Sequence, residues 1–201
     1  MRGFCATIVA RETLDGDVLR EFAQPARSFG RNFMTAMYAG FSGVATNAAN
    51  LSGTSRPSIY MLTHEYGGSD GGFGLTAGLA AGSAYGIVLG SGDTAFAVAH
   101  NNLQATIAHG SSAGQLYRSA MTIGGVVVPA GEQSVQMEIS RSFANNSSAD
   151  ITVREVGLIG YSLYRQNYSD AFLFSRDVLG SPMLVAPGRQ LDVSIVFRTD
   201  L

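Results

Sequence analysis

Hydrophobic and polar residues alternate with a period of two over most of the second half of the chain. Val135, Met137 and Ile139 alternate with Gln136, Glu138 and Ser140, and beyond the polar stretch "ANNSSAD" Ile151 and Val153 alternate with Thr152 and Arg154. That pattern predicts two strands of a hairpin with one face on a core. The last strand repeats it: Leu191, Val193, Ile195 and Phe197 share one side, opposite Asp192, Ser194 and Arg198. "FCATIVARETLDGDVLREF" reads as a further hairpin, its turn supplied by Asp15-Gly16. A helical period occurs in "PARSFGRNFMTAMYAGF", where Phe29, Phe33, Met37 and Phe41 fall on one helix face that packs on the sheet. Ser28 is the expected N-cap, and Pro25 the stop of the preceding strand. Further strands are expected at Ser58 to Thr63, in "YGIVLG", within "TAFAVAHNNLQATIAHG" and "QLYRSAMTIGGVVVPAGEQ", and at "DAFLFSRDVL"; "PMLVAPGRQLDVSIVF" supplies the closing pair.

The chain therefore reads as mainly β: an antiparallel β-sandwich or jelly-roll-like domain with one N-terminal α-helix and long Gly-rich loops. Its expected organisation is a hairpin and helix over 1–41, a Gly/Ser/Asn-rich loop or arm over 42–80, and a β-sandwich over 81–201, forming one structural unit.

One phase break interrupts the pattern. Ile151 and Val153 call for an apolar residue at 155, but Glu155 stands there and the apolar phase resumes one residue late, at Val156 and Leu158. Either a β-bulge sits here, with Gly157 relieving the backbone, or Glu155 points inward and needs a donor. Arg176 and Arg141 are the candidate partners.

Composition narrows the classes. Charged residues make up 14% of the chain, against roughly 25% in typical soluble domains, and 25 glycines add to a neutral surface of the kind partners cover. All 13 basic residues are arginine, which suits interfaces and is equally what a GC-rich genome encodes. A net charge of −2 without an arginine cluster argues against nucleic acid. Gly74, Gly78, Gly82, Gly86 and Gly90 recur at the spacing of a packed transmembrane helix. Five glycines would cost such a helix about 4–5 kcal/mol, so a buried strand is expected instead of a membrane span. The N-terminal apolar run is too short for a signal peptide, and the single Cys5 fits assembly in a reducing cytoplasm. The sequons at Asn50, Asn145, Asn146 and Asn167 are then chance.

No pattern for chemistry emerges. His64, His100 and His109 lack the spacing of a zinc site, and turn histidines bonded to backbone are the commoner case. There is no GxxxxGK, no lysine to serve one, and no GxSxG. "GSGDT" and "LDGD" lack the Ca²⁺-loop ligand pattern and read as turns. No catalytic, cofactor-binding or metal-binding residue is assigned, no cofactor is expected, and the chain is read as non-enzymatic.

The segments "YGIVLGSGDTAF", "IAHGSSAGQLYRSAM", "SRSFANNSSADITVREVGLIG" and "LFSRDVL…MLVAPGRQLDVSIVF", together with the N-terminal "VLREFAQPARSFGRNFMTAMY", resemble small virion proteins of tailed bacteriophages, of the tail, collar or minor structural type. The likeness spans most of the chain and is weakest over 42–80. It implies a homo-oligomeric building block of the neck, tail or capsid surface, located in the virion and assembled in the host cytoplasm. Its partners would be its own copies and other virion proteins, with no nucleic acid or membrane. The alternative is a host-recognition module of a tail fibre or capsid surface that binds glycans, for which Tyr161, Tyr164 and Tyr168 are the candidate contacts.

Overall fold

The computed structural model describes residues 4–42, 46–56, 73–74, 80–165 and 168–200. Two sheets pack face to face. The larger has the strand order β2 (Asp17–Pro25), β1 (Phe4–Leu14), β12 (Gln190–Asp200), β9 (Ser134–Ala144), β8 (Gln115–Ile123) and the short β7 (Ala108–His109). In the smaller, β11 (Tyr168–Val185) pairs with β10 (Ile151–Arg165), which pairs in turn with β6 (Gly86–Gly90) and β5 (Phe73–Gly74). All these pairings are antiparallel except β7 with β8. Two further short strands, β3 (Ala48–Ala49) and β4 (Ser55–Arg56), pair with each other, and α1 (Arg31–Ser42) is the single helix among the described residues. The expected β-sandwich with one N-terminal helix is the observed fold.

Alternation explains the core. Ala6, Ile8 and Ala10 of β1, Leu191, Val193 and Ile195 of β12, and Ile139 and Phe143 of β9 form the inner face of the larger sheet. Across from them lie Ile87, Leu89, Ile151, Val153, Val156, Leu158, Phe172, Met183 and Val185 of the smaller sheet. The β1–β2 hairpin closes as the sequence predicts, with positive φ at Asp15 (51°) and Gly16 (91°), a conformation that suits a two-residue hairpin turn. Because β1 pairs with β12, this N-terminal hairpin belongs to the same sheet as the C-terminal strands.

The smaller sheet is covered on both faces. Val88 lies between Ile87 and Leu89 and so faces away from the main core, where it joins Leu103, Ile159 and Leu173 in a second cluster. All five residues of β6 are consequently buried. The every-fourth-glycine run is not a helix: Gly82 and Gly86 have φ of 74° and 80°, and Gly86 to Gly90 form the strand read in "YGIVLG". No described helix is long and apolar enough to cross a membrane.

Several local expectations are corrected. The helix N-cap position is Gly30, whose carbonyl accepts from Phe33 and Met34, whereas Ser28 is engaged through its backbone by Asp177 and Arg176. The face that α1 buries is Asn32, Ala36 and Ala39, because small residues allow close approach and Asn32 exchanges hydrogen bonds with the backbone of Ala49. Phe29 precedes the helix, Phe33 and Met37 are half-buried beside that face, and the Phe41 side chain lies outside the described residues. "PMLV" continues β11 and does not start a separate strand. "TAFAVAHNNLQAT" forms no ladder strand but a covering loop, for a reason given below. The expected strand at Ser58 to Thr63 lies outside the described residues.

Candidate functional site

The phase break at Glu155 is the best-defined polar site among the described residues. Register shifts between Val153, opposite Met183, and Glu155, opposite Val178, so that Arg154 alone faces the stretch Leu179–Pro182 of β11. Val153 and Val156 both enter the main core, and the slip turns Glu155 to the opposite face. Both readings of the break are therefore realised together: the bulge exists, and Glu155 is still buried, because residues 91–107 cover that face. Gly157 serves close approach, since a Cβ there would collide with Leu103.

Glu155 and Arg176 are both fully buried and form an ion pair, Nε to Oε2, at 2.5 Å. The remaining acceptor capacity of the carboxylate is taken by backbone amides of the covering loop: Gly92 (3.2 Å) and Ala105 (2.9 Å) donate to Oε1 and Gln104 (3.2 Å) to Oε2. Arg176 also donates to the Thr94 carbonyl (2.9 Å) and lies 3.1 Å from His100 Nδ1, which accepts from the Ala97 amide. Gly90 must lack a side chain because a Cβ would strike the Glu155 carboxylate. This arrangement explains why the 91–107 segment forms no ladder strand. Its amides satisfy a buried carboxylate, and its ends are closed by the Ser91 amide to the Ala105 carbonyl and the Ile107 amide to the Leu89 carbonyl. Of the two candidate partners in the sequence, Arg176 is the one that meets Glu155.

Arg141 is buried elsewhere. It donates to the carbonyls of Ser119, Tyr85, Ile87 and Ala80, and neighbouring Arg118 donates to those of Ile107 and Ser83. Burial lowers the Arg118 pKa; burial and the charge of Arg118 bring Arg141 down to about 10. Neither guanidinium is a surface charge, and sequence reasoning had no signal for Arg118 beyond its place in an alternating strand.

His100 and His109 each take a separate backbone partner. Nδ1 of His109 accepts from the Arg118 amide and Nδ1 of His100 from that of Ala97, while His64 lies outside the described residues. No group of three metal-ligating residues occurs among the described residues. Tyr161 packs edge-on against Tyr85 at 4.8 Å, and the side chains of Tyr164 and Tyr168 are outside the described residues. The sequon residues Asn50 and Asn145 are buried, with their side-chain amides committed to Asp170 and to the carbonyls of Ala149 and Val185.

Large apolar groups face solvent in several places, Leu14, Val18 and Leu19 of the β1–β2 hairpin among them. At one end of the sandwich Phe4, Phe197, Phe29 and Phe33 form a chain of ring contacts at 4.6–6.1 Å, with Met34 and Tyr38 exposed on the adjoining helix. Beyond β8, Val126, Val127 and Val128 are exposed in succession. Sequence periodicity could not separate such residues from core. No family model, curated protein or solved structure matches this chain.

Proposed function

We propose that this protein is a non-enzymatic structural subunit of a tailed-phage virion, in the neck, tail or capsid surface, that assembles as a homo-oligomer. The observation that carries this reading is the inverted use of side chains. Arg118, Arg141, Arg176, Glu12, Glu155 and Asp177 are buried, whereas Phe4, Met34, Tyr38 and Val126–Val128 are exposed. A surface depleted of charge and studded with large apolar groups is what subunit contacts cover. The virion setting comes from the resemblance of the quoted segments. The glycan-recognition alternative draws no support from Tyr161, whose ring is engaged with Tyr85.

Immunogold electron microscopy of purified particles, with an antibody against this chain, tests the reading. Gold over the head places the subunit on the capsid, and gold at one vertex or along the tail places it in the neck or tail. Intact particles without gold, from infected cells that express the chain, would overturn the proposal.

A further inference from the structure

The two edges of the larger sheet differ in how they are defended. Edge strands normally carry charges or proline that prevent pairing with other chains. β2 does so: Asp17, Arg20, Glu21 and Pro25 lie on nine residues of edge. On the other side β7 covers only Gln115 and Leu116 of β8, and from Ser119 to Gly131 the chain carries no charged residue.

This second edge continues past β8. Gly124 donates to the Glu138 carbonyl at 2.8 Å, and Val127 exchanges both hydrogen bonds with Gln136 at 2.9 Å. Since backbone groups alternate in direction along a strand, those of Val126 and Val128 point away from β9. Neither has a hydrogen-bond partner among the described residues. The three valines are 72%, 53% and 66% exposed, and Pro129, which has no amide to donate, ends the run.

We infer that Val126–Val128 is the self-pairing edge of the homo-oligomer, joining a second copy of this chain in an antiparallel, two-fold-symmetric strand pair. The inference rests on the homo-oligomer reading and names its surface. Charge is what identifies the occupant. A two-fold axis normal to a sheet sets the residue on the axis against its own copy and every other residue against its mirror position across the axis, so a charge on the axis meets its own like charge and a charge off it needs an opposite or neutral residue at the mirror position. β2 could self-pair only in registers that match Arg20 with Glu21 of the second copy or set each charge against a neutral residue, whereas the uncharged stretch beyond β8 places no such condition on its register. Centred on Val127, the pairing places Val126 opposite Val128 of the second copy, and the outward amides and carbonyls of the two residues satisfy one another. Val127 then faces its own copy in a non-hydrogen-bonded pair, with Cβ atoms roughly 4.5–5.5 Å apart.

Analytical ultracentrifugation of the full chain, with circular dichroism as a folding control, tests this. Wild type is expected to sediment as an oligomer and Val127→Glu at about half that mass, because two like charges would stand directly opposite each other across the strand pair. In a Cys5→Ser background, Val127→Cys is expected to form a disulfide-linked dimer without reductant, and Val126→Cys is not. This cysteine pair decides the matter if Val127→Glu fails to fold. An oligomeric wild type, with Val127→Glu unchanged in mass and Val127→Cys uncrosslinked, would overturn the edge and leave the homo-oligomer reading standing. A monomeric wild type would overturn both.

Discussion

Glu155→Ala is the perturbation that most directly measures how the covering loop is held. The substitution leaves the Arg176 guanidinium fully buried without its counter-charge. It also removes the acceptor of three amides, those of Gly92, Gln104 and Ala105. Breaking one side of a buried ion pair costs about 3–5 kcal/mol. Each orphaned amide could add about 1–3 kcal/mol, but the loop can open and rehydrate them, so these terms do not simply sum. Opening has its own cost, because Leu103 leaves the second cluster with Val88, Ile159 and Leu173, worth about 1.5–3 kcal/mol. The net expectation is a loss of about 3–5 kcal/mol, out of a total that for a domain is about 5–15. At roughly 2–4 °C per kcal/mol for a chain of this size, the midpoint falls by roughly 6–20 °C. Glu155→Gln should fare little better, because in one orientation its NH₂ meets the Arg176 Nε–H and the Gln104 N–H, and in the other the Gly92 and Ala105 amides, donor against donor. Urea unfolding gives the free energy, and hydrogen exchange across residues 91–105 shows where protection is lost. A Glu155→Ala protein within 1 kcal/mol of wild type, with amide protection over 91–105 unchanged, would refute the clamp.

Other positions carry sharper signs. Arg176→Lys keeps the charge, yet one ammonium cannot reach Glu155, Thr94 and His100 together; urea unfolding should show a loss smaller than that of Glu155→Ala, and equality with wild type would contradict it. Asn145→Ala should cost about 2–4 kcal/mol in urea, because its amide joins the Ala149 and Val185 carbonyls and its oxygen accepts from Ser147; a loss below 1 would be inconsistent with that staple. Burial raises the Asp177 pKa despite the amides of Arg27 and Ser28, so the ionised form costs stability at neutral pH. Asp177→Asn should therefore exceed wild type at pH 7, and the gap should narrow as the pH falls through the raised value toward ~4, where the unfolded aspartate protonates. A gap constant across that window would refute this.

How much of this was legible follows from what each signal measures. Period-2 alternation reports burial on one face, so β9, β10 and β12 and the Asp15-Gly16 turn could be read directly. The break at Glu155 was visible as a phase error, and Arg176 could be named as a partner because a buried carboxylate needs one. What could not be read was the face to which the slip would send Glu155, since that depends on a second layer over the sheet. The same layer misled the reading of "TAFAVAH". Its apolar residues suggest a strand, but the Thr94 carbonyl accepts from Arg176 and the Ala97 amide donates to His100 Nδ1, while the amides of Gln104 and Ala105 that follow are drawn to a carboxylate about fifty residues away in sequence. In the helix, the Phe stripe signalled packing that Phe29 and Phe33 do make against the core, but the most deeply buried positions, Asn32, Ala36 and Ala39, were not legible because they do not appear hydrophobic as a group. For the valines, the sequence shows only an apolar run, and whether it is core or edge is settled by where β8 ends.

The absence of lysine has a physical reading beyond interface preference or codon bias. Of the arginines, Arg118, Arg141 and Arg176 are buried, and each binds several acceptors at once, mostly backbone carbonyls of loops and strand ends. A guanidinium has five donors in a fixed fork and can bracket carbonyls from different segments, whereas an ammonium concentrates its donors at one point. In a sandwich whose connections contain many glycines, side-chain contacts between loops are scarce. Backbone carbonyls are then the available handles, and arginine is the residue that can grip several together. The charges of Arg118, Arg141 and Arg176 are thereby withheld from the surface, which adds to the low charge of the composition. Both features that point to self-association, the uncharged edge at Val126–Val128 and the exposed aromatic end at Phe4, are what such an allocation leaves outside.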